Sequence, residues 1–324
     1  MILFLTARGH QVTVGTLVAD ALGVPIPKTM ALSYDAMLRA QRVPAATVIF
    51  TDIERLSPFE LLLASDVFRS LRSAGLRCLN DPAVVPTRYE LLRKLRRAGI
   101  NPFGIYRAED EPQPERFPVF VRNDNDHNSA VSDLIQTQEE LDAFLAEGVR
   151  AGRPRRGLVV IEFCGEPAGD GLWRKFGSFH IGGHVYLDHH ITEPHWMVKY
   201  GRGGARPPEW LARDENRRVL ANECPEVIGE AFRIAGIDYG RADHATVAGR
   251  PVIYEINTNP SIWLPKAQSW PIRDETLAVG RRRMAEAFWA IDSGDGTPIP
   301  WEPTERVRLH RDALTDKDWS PPRP

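Results

Sequence analysis

Cysteine is scarce. The three present, Cys78, Cys164 and Cys224, are odd in number, widely spaced and without a CxxC pair, which excludes a disulfide frame and a thiolate zinc site. No apolar run approaches the roughly 18 residues that a membrane span needs, and MILFLTARGH is too short in apolar residues for a secretory signal. A soluble cytoplasmic protein with reduced thiols is expected. A dominant charge is lacking too. The 41 basic and 43 acidic residues leave a net charge of -2, so no basic field marks a nucleic-acid binder. Lysine is rare, six of the 41 basic residues (28, 94, 175, 199, 266 and 317). Codon bias is enough to explain that, and guanidinium chemistry counts only where a specific site can be named. Hydrophobic residues at 43% and charged residues at 26% are globular proportions. The 324-residue length predicts two or three packed subdomains.

Along the chain, Met1–Leu5 and residues 46–52 read as strands, Pro58–Ala74 as a helix and Leu76–Leu79 as a short strand. This alternation predicts an α/β unit. Two prolines and NDP punctuate Asn80–Pro86. Thr87 and Glu90 have capping-box spacing ahead of a stripe of Leu91, Leu92, Leu95 and Ala98. FPVFV (117–121) reads as a strand followed by the polar loop RNDNDHNS (122–129), then Thr137–Leu145 as a helix and Leu158–Phe163 as a strand. Gly182-Gly183 joins two alternating runs over 175–191, a hairpin signal. A helix is expected over about 214–235, a second hairpin around 248–250, and a last helix over about 274–291. Beyond Ser293 six prolines fall in 31 residues, which predicts an extended surface tail.

Asp243, Glu255 and Asn257 form the sharpest constellation. Glu255 and Asn257 are two apart on a strand and share a face. An odd-length loop centred on Gly249 would bring Asp243 opposite Glu255 on that face, whereas a two-residue turn would put the two on opposite faces. Carboxylates placed so closely repel unless a cation sits between them, and hard oxygen donors favour magnesium. On that repulsion alone, Glu255→Gln should leave the metal-free protein as stable as before or more so.

The stretch IDYGRADHATVAGRPVIYEINTNPS (237–261) resembles the metal-binding end of the ATP-grasp superfamily, RimK- and glutathione-synthetase-like carboxylate–amine ligases among them. There an Asp about a dozen residues before an E-[VI]-N-x-x-P motif binds the magnesium of Mg-ATP; Asp243 precedes Glu255 by 12, and EINTNP matches as it stands. NDP…TRYELLRKL (80–95) is similar to the entry helix, with Arg88 at the place of a nucleotide-facing Lys. FPVFVR (117–122) is similar to a strand ending in a second such Lys, here Arg122. VVIEFCG (159–165) resembles the strand facing adenine, with Glu162 and Phe163; WRKFGSFHIGGHVYLDHHI and WMVKYGRGG (196–204) resemble the following hairpin and loop. Departures from the pattern are arginine at both lysine positions and a phosphate loop, RNDNDHNSAVSD, without glycine.

The resemblance implies an α/β (α+β) fold: an N-terminal pre-ATP-grasp domain at 1–83, two ATP-grasp subdomains with antiparallel sheets at 84–160 and 161–292, and the Pro-rich tail at 293–324. It implies ATP and Mg2+ as cofactors, with Asp243, Glu255 and Asn257 on the metal and Arg88, Arg122, Glu162, Phe163 and Lys199 on the nucleotide. Arg241, Arg174 and Lys175 are candidates for the substrate anion or acyl phosphate. The implied reaction activates a small carboxylate as an acyl phosphate and joins it to an amine. A small-molecule kinase or a non-catalytic nucleotide-binding protein are the alternatives. Small-molecule partners are implied, with neither nucleic acid nor membrane, and a homodimer is compatible with this. Five of nine histidines (180, 184, 189, 190 and 195) fall within 16 residues. The adjacent 189 and 190 must face opposite ways on a strand, so structural roles or substrate contact are expected ahead of a metal site. Trp263 and Trp270 are expected to pack.

Overall fold

Ile2–Thr6 (β1) and Thr47–Phe50 (β4) are buried at every position, as strands covered on both faces must be. They are the inner strands of a parallel sheet ordered β2-β1-β4-β5, with Thr29–Ser33 (β2) and Cys78–Leu79 (β5) at its edges. The computed structural model describes residues 1–126, 129–199, 208–262 and 270–315. Outside them lie His127 and Asn128 of the polar loop, residues 200–204 of the WMVKYGRGG loop, Trp263, and residues 316–324 of the expected tail. Two units are distinguished: Met1–Val85 with described residues 258–262 and 285–315, and Pro86–Asn257 with 270–284.

In the first unit the short helices Gly15–Val18 (α1) and Tyr34–Arg39 (α2) and the strand Arg42–Pro44 (β3) surround the sheet. Pro58–Ser73 (α3) starts at a capping box in which Ser57 accepts from Glu60 N and Glu60 returns a bond to Ser57 N. Its Leu63, Val67, Phe68 and Leu71 pack with Leu3, Leu5, Val48 and Phe50. Phe4, of opposite parity along β1, meets Phe288 edge to face at 6.1 Å. The EINTNP motif ends in this unit. Asn259 Nδ2 donates to Asp52 Oδ2 at 2.8 Å, and Asn259 Oδ1 accepts from Thr13 Oγ1 at 2.7 Å.

The second unit begins with Arg88–Arg97 (α4), capped by the expected Thr87/Glu90 box. Ile105–Arg107 (β6), Val119–Asn123 (β7) and Leu158–Glu162 (β8) form an antiparallel sheet ordered β6-β8-β7, covered by Gln138–Arg150 (α5) through Leu141 and Leu145. Trp173–Ile181 (β9), His184–Glu193 (β10), Tyr239–Val247 (β11) and Arg250–Asn257 (β12) form a second antiparallel sheet ordered β10-β9-β11-β12. Both hairpin turns use residues at positive φ, Gly182-Gly183 and Ala248-Gly249. The single helix expected over 214–235 is two, Glu209–Leu220 (α6) and Glu226–Ala235 (α7). Asn222 at φ 49° turns the chain out of the helix, and Pro225 cannot continue it.

After Ile272–Ile291 (α8) the chain does not trail off as an extended tail. Pro298–Pro300 (β13) pairs antiparallel with β3, and Glu305–Thr315 (α9) follows. Proline suits a strand at a sheet edge, so its abundance here does not mean disorder. Trp301 and Val307 are buried in the core of the first unit, and Trp301 Nε1 donates to Ala40 O at 2.9 Å. Thr304 and Arg306 each reach buried Asp66 at 3.0 Å. Trp301→Ala should therefore cost about 3 kcal/mol or more and lower the thermal midpoint by several degrees; an unchanged midpoint would mean the segment contributes nothing.

Between α6 and the second sheet lies a dry face that holds Phe176, Leu187 and Val219. His244 stacks on Phe176 (centroids 5.5 Å) with its Nε2 2.9 Å from Ser178 Oγ, and His190 meets Phe176 edge to face at 5.6 Å. Burial pushes both imidazoles down to about 4. A depressed folded value means the stabilisation is intact above the unfolded value near 6.5 and is lost as pH falls toward the folded value. The denaturant midpoint should fall steadily between about pH 6.5 and 4, by about 3 kcal/mol per histidine at most. A flat profile in that window would show that neither ring is buried neutral.

Candidate active site

Asp243 and Glu255 do face each other, by a route other than an odd loop. The turn has two residues, since Val247 pairs with Arg250. The register continues to His244–Ile253 and then shifts, so that Tyr254 is extra and Asp243 pairs with Glu255. This β-bulge supplies the odd residue that the loop does not. It is held from both sides: the Asn101 side chain exchanges two bonds with the Ile253 backbone (2.8 and 2.9 Å), and Tyr254 OH donates to Cys164 O at 2.8 Å. Two pairs further, and so on the same face, Asn257 lies across from Arg241.

Cations crowd the two carboxylates. Lys175 Nζ is 2.8 Å from Asp243 Oδ2, and Arg241 Nε is 3.1 Å from Oδ1. Burial works against ionisation of Asp243, but Arg241 and Lys175 outweigh it and hold its carboxyl below the usual range. Burial likewise opposes the charge on Lys175, and Asp243 and Glu255 reverse that, so its ammonium is held more firmly than in water. Arg88 NH2 lies 2.7 Å and Arg122 NH2 3.5 Å from Glu255 Oε2. Burial and the neighbouring Arg88 lower Arg122, and burial lowers Lys199. Five cations thus surround two carboxylates, leaving a surplus of positive charge suited to a polyanion.

An open cavity of about 970 Å³ lies over this centre, and Arg122, Lys175, Lys199, Asp243 and Glu255 are in its lining. A cluster of aromatic rings lines it as well. Phe163 meets Trp173 at 5.6 Å and Trp196 at 5.5 Å, and Trp196 meets Phe120 at 5.3 Å. Such a cluster offers flat π faces to a planar base. Of these rings the sequence singles out only Phe163 as a site residue; recurring aromatics at 120, 163, 173 and 196 carry no periodic signal, because sheet topology gathers them.

Several expected residues are already engaged. Arg88 lies outside the cavity lining, and besides Glu255 it donates to the carbonyls of Asn123, Asp124 and Asp126 at 2.7–2.8 Å. It braces the loop after β7. Glu162, 1% exposed, accepts from Gly104 N (2.7 Å), Tyr106 OH (2.8 Å), Glu115 N (2.9 Å) and Arg116. Burial alone would raise its carboxyl; those bonds overcome it and lower it. A Cβ at Gly104 would lie 3.0 Å from the Glu162 carboxyl carbon and 2.7 Å from Tyr106 OH, so those side chains would have to shift. Arg174 lines the cavity but pairs with Asp170 at 2.5 Å and lies over Trp210 at 5.9 Å. The histidines do not converge. His180 binds Ile237 O and Gly183 N at its turn, and His195 accepts from Met197 N. No group of three or more His, Cys, Asp or Glu among the described residues is arranged to hold a metal.

These contacts reverse the stability expected of one variant. Glu255→Gln leaves Arg88, 5% exposed at its side chain, without its carboxylate, which outweighs any relief of repulsion with Asp243. The metal-free protein should lose about 2 kcal/mol, read as a lower thermal midpoint. A midpoint equal to or above the parent's would restore the repulsion account.

Comparison with protein-family models and with curated proteins finds no match. Among solved structures, D-alanine–D-alanine ligase from Bacillus anthracis, crystallised with ATP, is similar over 96% of this chain and 98% of its own, at 12% identity and a TM-score of 0.50. A RimK domain ATP-grasp protein from Sphaerobacter thermophilus is similar over 89% of this chain and 99% of its own, at 15% identity and a TM-score of 0.46. An L-amino acid ligase from Bacillus licheniformis follows with 79% and 66% coverage, 14% identity and a TM-score of 0.39. With a four-stranded parallel sheet followed by antiparallel sheets of three and four strands among the described residues, the chain has the ATP-grasp fold.

Proposed function

We propose that this chain is an ATP-dependent ligase that activates a small carboxylate as an acyl phosphate and joins it to an amine. The observation that carries the reading is the cavity whose lining combines clustered aromatic rings with clustered cations. That combination matches a nucleotide, whose base stacks and whose phosphates need fixed positive charge. The solved neighbour crystallised with ATP supports it. Residues 84–160 and 161–292 would serve as the two ATP-grasp subdomains, with 1–83 ahead of them.

Phe163, with Phe120, Trp173 and Trp196, would hold adenine. Arg122 and Lys199 would hold phosphates, and Arg88 would act indirectly by bracing the loop after β7. Glu162 would shape the adenine wall through its bonds to Gly104 and Arg116. Lys175 and Arg241 would meet the acyl phosphate, where a fixed cation stabilises charge as it develops, with Arg174 at the rim. Asp243, Glu255 and the Asn257 amide oxygen are hard donors, which is the chemistry magnesium takes. Asp243 accepts one bond at each oxygen, and a carboxylate offers about four acceptor positions, so the donor set fits. When bound, magnesium would neutralise phosphate charge. Holding carboxylate and phosphoryl group in line is then the work of the protein's own cations.

Millimolar Mg-ATP should raise the thermal midpoint by several degrees, and EDTA should remove the gain, because a ligand that binds only the native state stabilises it. ADP release over pooled amino acids and small acids, with mass spectrometry of products, tests the chemistry. ADP formed without any amine would favour a kinase, and binding without turnover a non-catalytic protein. No thermal shift at all would remove the nucleotide reading.

A further inference from the structure

Across the second sheet one row reads His189, Gly177, Asp243, Glu255, each directly opposite the next. Residues so paired share a face, so His189 stands on the face of the ionic centre, while adjacent His190 is turned into the core. Gly177 makes room for its ring. A Cβ at that position would lie 2.6 Å from His189 Cε1, 2.8 Å from Nε2 and 3.2 Å from Arg241 Cδ. The imidazole therefore lies over the bare backbone of β9, its Nε2 edge beside Arg241. The other nitrogen, Nδ1, is 2.7 Å from Asp188 Oδ2. Consecutive strand residues normally point apart; the register shift between Leu187 and His189 leaves Asp188 extra, and that bulge lets it turn back onto its neighbour. Both side chains are partly open, at 16% for His189 and 25% for Asp188.

An amine substrate arrives at neutral pH as an ammonium and must lose a proton to become a nucleophile. Lys175 and Arg241 are cations and cannot accept it, and Asp243 is occupied by both of them. We propose that His189 is the general base for the amine, with Asp188 as its positioning residue. The inference rests on the ligase reading above. In the step, the amine lone pair forms the N–C bond to the acyl carbonyl. The C–O bond to phosphate breaks, and phosphate leaves with that electron pair. The proton passes from nitrogen to His189 Nε2, and Asp188, accepting from Nδ1–H, stabilises the imidazolium. The charged and titratable groups around His189 are Asp188 on its own strand and Arg241 and Asp243 on β11, with Glu215 of α6 and its partner Arg273 of α8, and the rings of His190 and His244 on the opposite face, acting at longer range.

Hydroxylamine separates this step from activation, because it is unprotonated at neutral pH and attacks an acyl phosphate without a base. The parent, His189→Gln and Asp188→Asn would each receive Mg-ATP with a pool of the twenty amino acids and small carboxylic acids, with and without hydroxylamine. Hydroxamate and amide would be read across a pH series, with thermal midpoints as a folding control. His189→Gln should keep hydroxamate formation within about threefold while amide formation drops on the order of 100-fold, a deficit that shrinks as pH rises. Asp188→Asn should show the same split at about tenfold, and it carries the test if His189→Gln does not fold. Hydroxamate and amide falling together, or neither falling, would overturn the assignment. A parent that yields neither product would instead remove the ligase reading, and this inference with it.

Discussion

Everything at the ionic centre depends on the register of β11 against β12. The two-residue turn at Ala248-Gly249 would by itself set Asp243 against Tyr254 and send Glu255 to the far face, since a one-residue slip inverts every side chain of a strand. The extra residue at Tyr254 undoes that inversion. Because β12 is an edge strand, nothing on its outer side would pin the bulge by sheet pairing. Asn101 does so instead, its side-chain amide imitating a neighbouring peptide at Ile253. A residue on the turn after α4 thus decides which way a carboxylate on a distant strand points.

That carboxylate then organises the cations. Arg88 and Arg122 both address one oxygen of Glu255, and Lys175 and Arg241 divide the two oxygens of Asp243. Lysine could not do what Arg88 does, because a planar guanidinium reaches three carbonyls of the loop after β7 and a carboxylate at once. The loop lacks glycine, yet it has a brace. Its lack of backbone freedom and the choice of arginine at position 88 are one physical arrangement, in which the loop is held by side-chain donors.

The elements legible in the sequence are those whose signals are local. Capping boxes, the glycine turns and the apolar runs of β1, β4 and β8 all depend on residues within a few positions of one another. What was misread depends on distant partners. The prolines after Ser293 look like a tail until β3 is there to pair with Pro298–Pro300. Residues 214–235 keep a helical pattern through a break made by Asn222 and Pro225. Of the site, Asp243 and Glu255 were legible as a pair, though the odd loop invoked to join them is absent. Glu162 does line the cavity, but an acidic residue at a strand end carries no mark of the donors that engage its oxygens. Of the four aromatic rings only Phe163 is legible, because Phe120, Trp173 and Trp196 are gathered to it from separate strands and loops.

The second sheet separates stability from chemistry by parity. Asp243 faces the ionic centre and His244 the α6 core; His189 faces the first and His190 the second. Within each pair the residue types are similar in polarity, and only the side of the strand differs. On the α6 side burial keeps His190 and His244 neutral, so they act as packing groups. On the other side the same backbone presents paired charges, of which Lys175, Asp243 and Glu255 line the cavity. Gly177 sits at the crossing of these demands. It leaves one face unfilled so that the ring of His189 can lie across it, whereas its neighbours Phe176 and Ser178 close the opposite face.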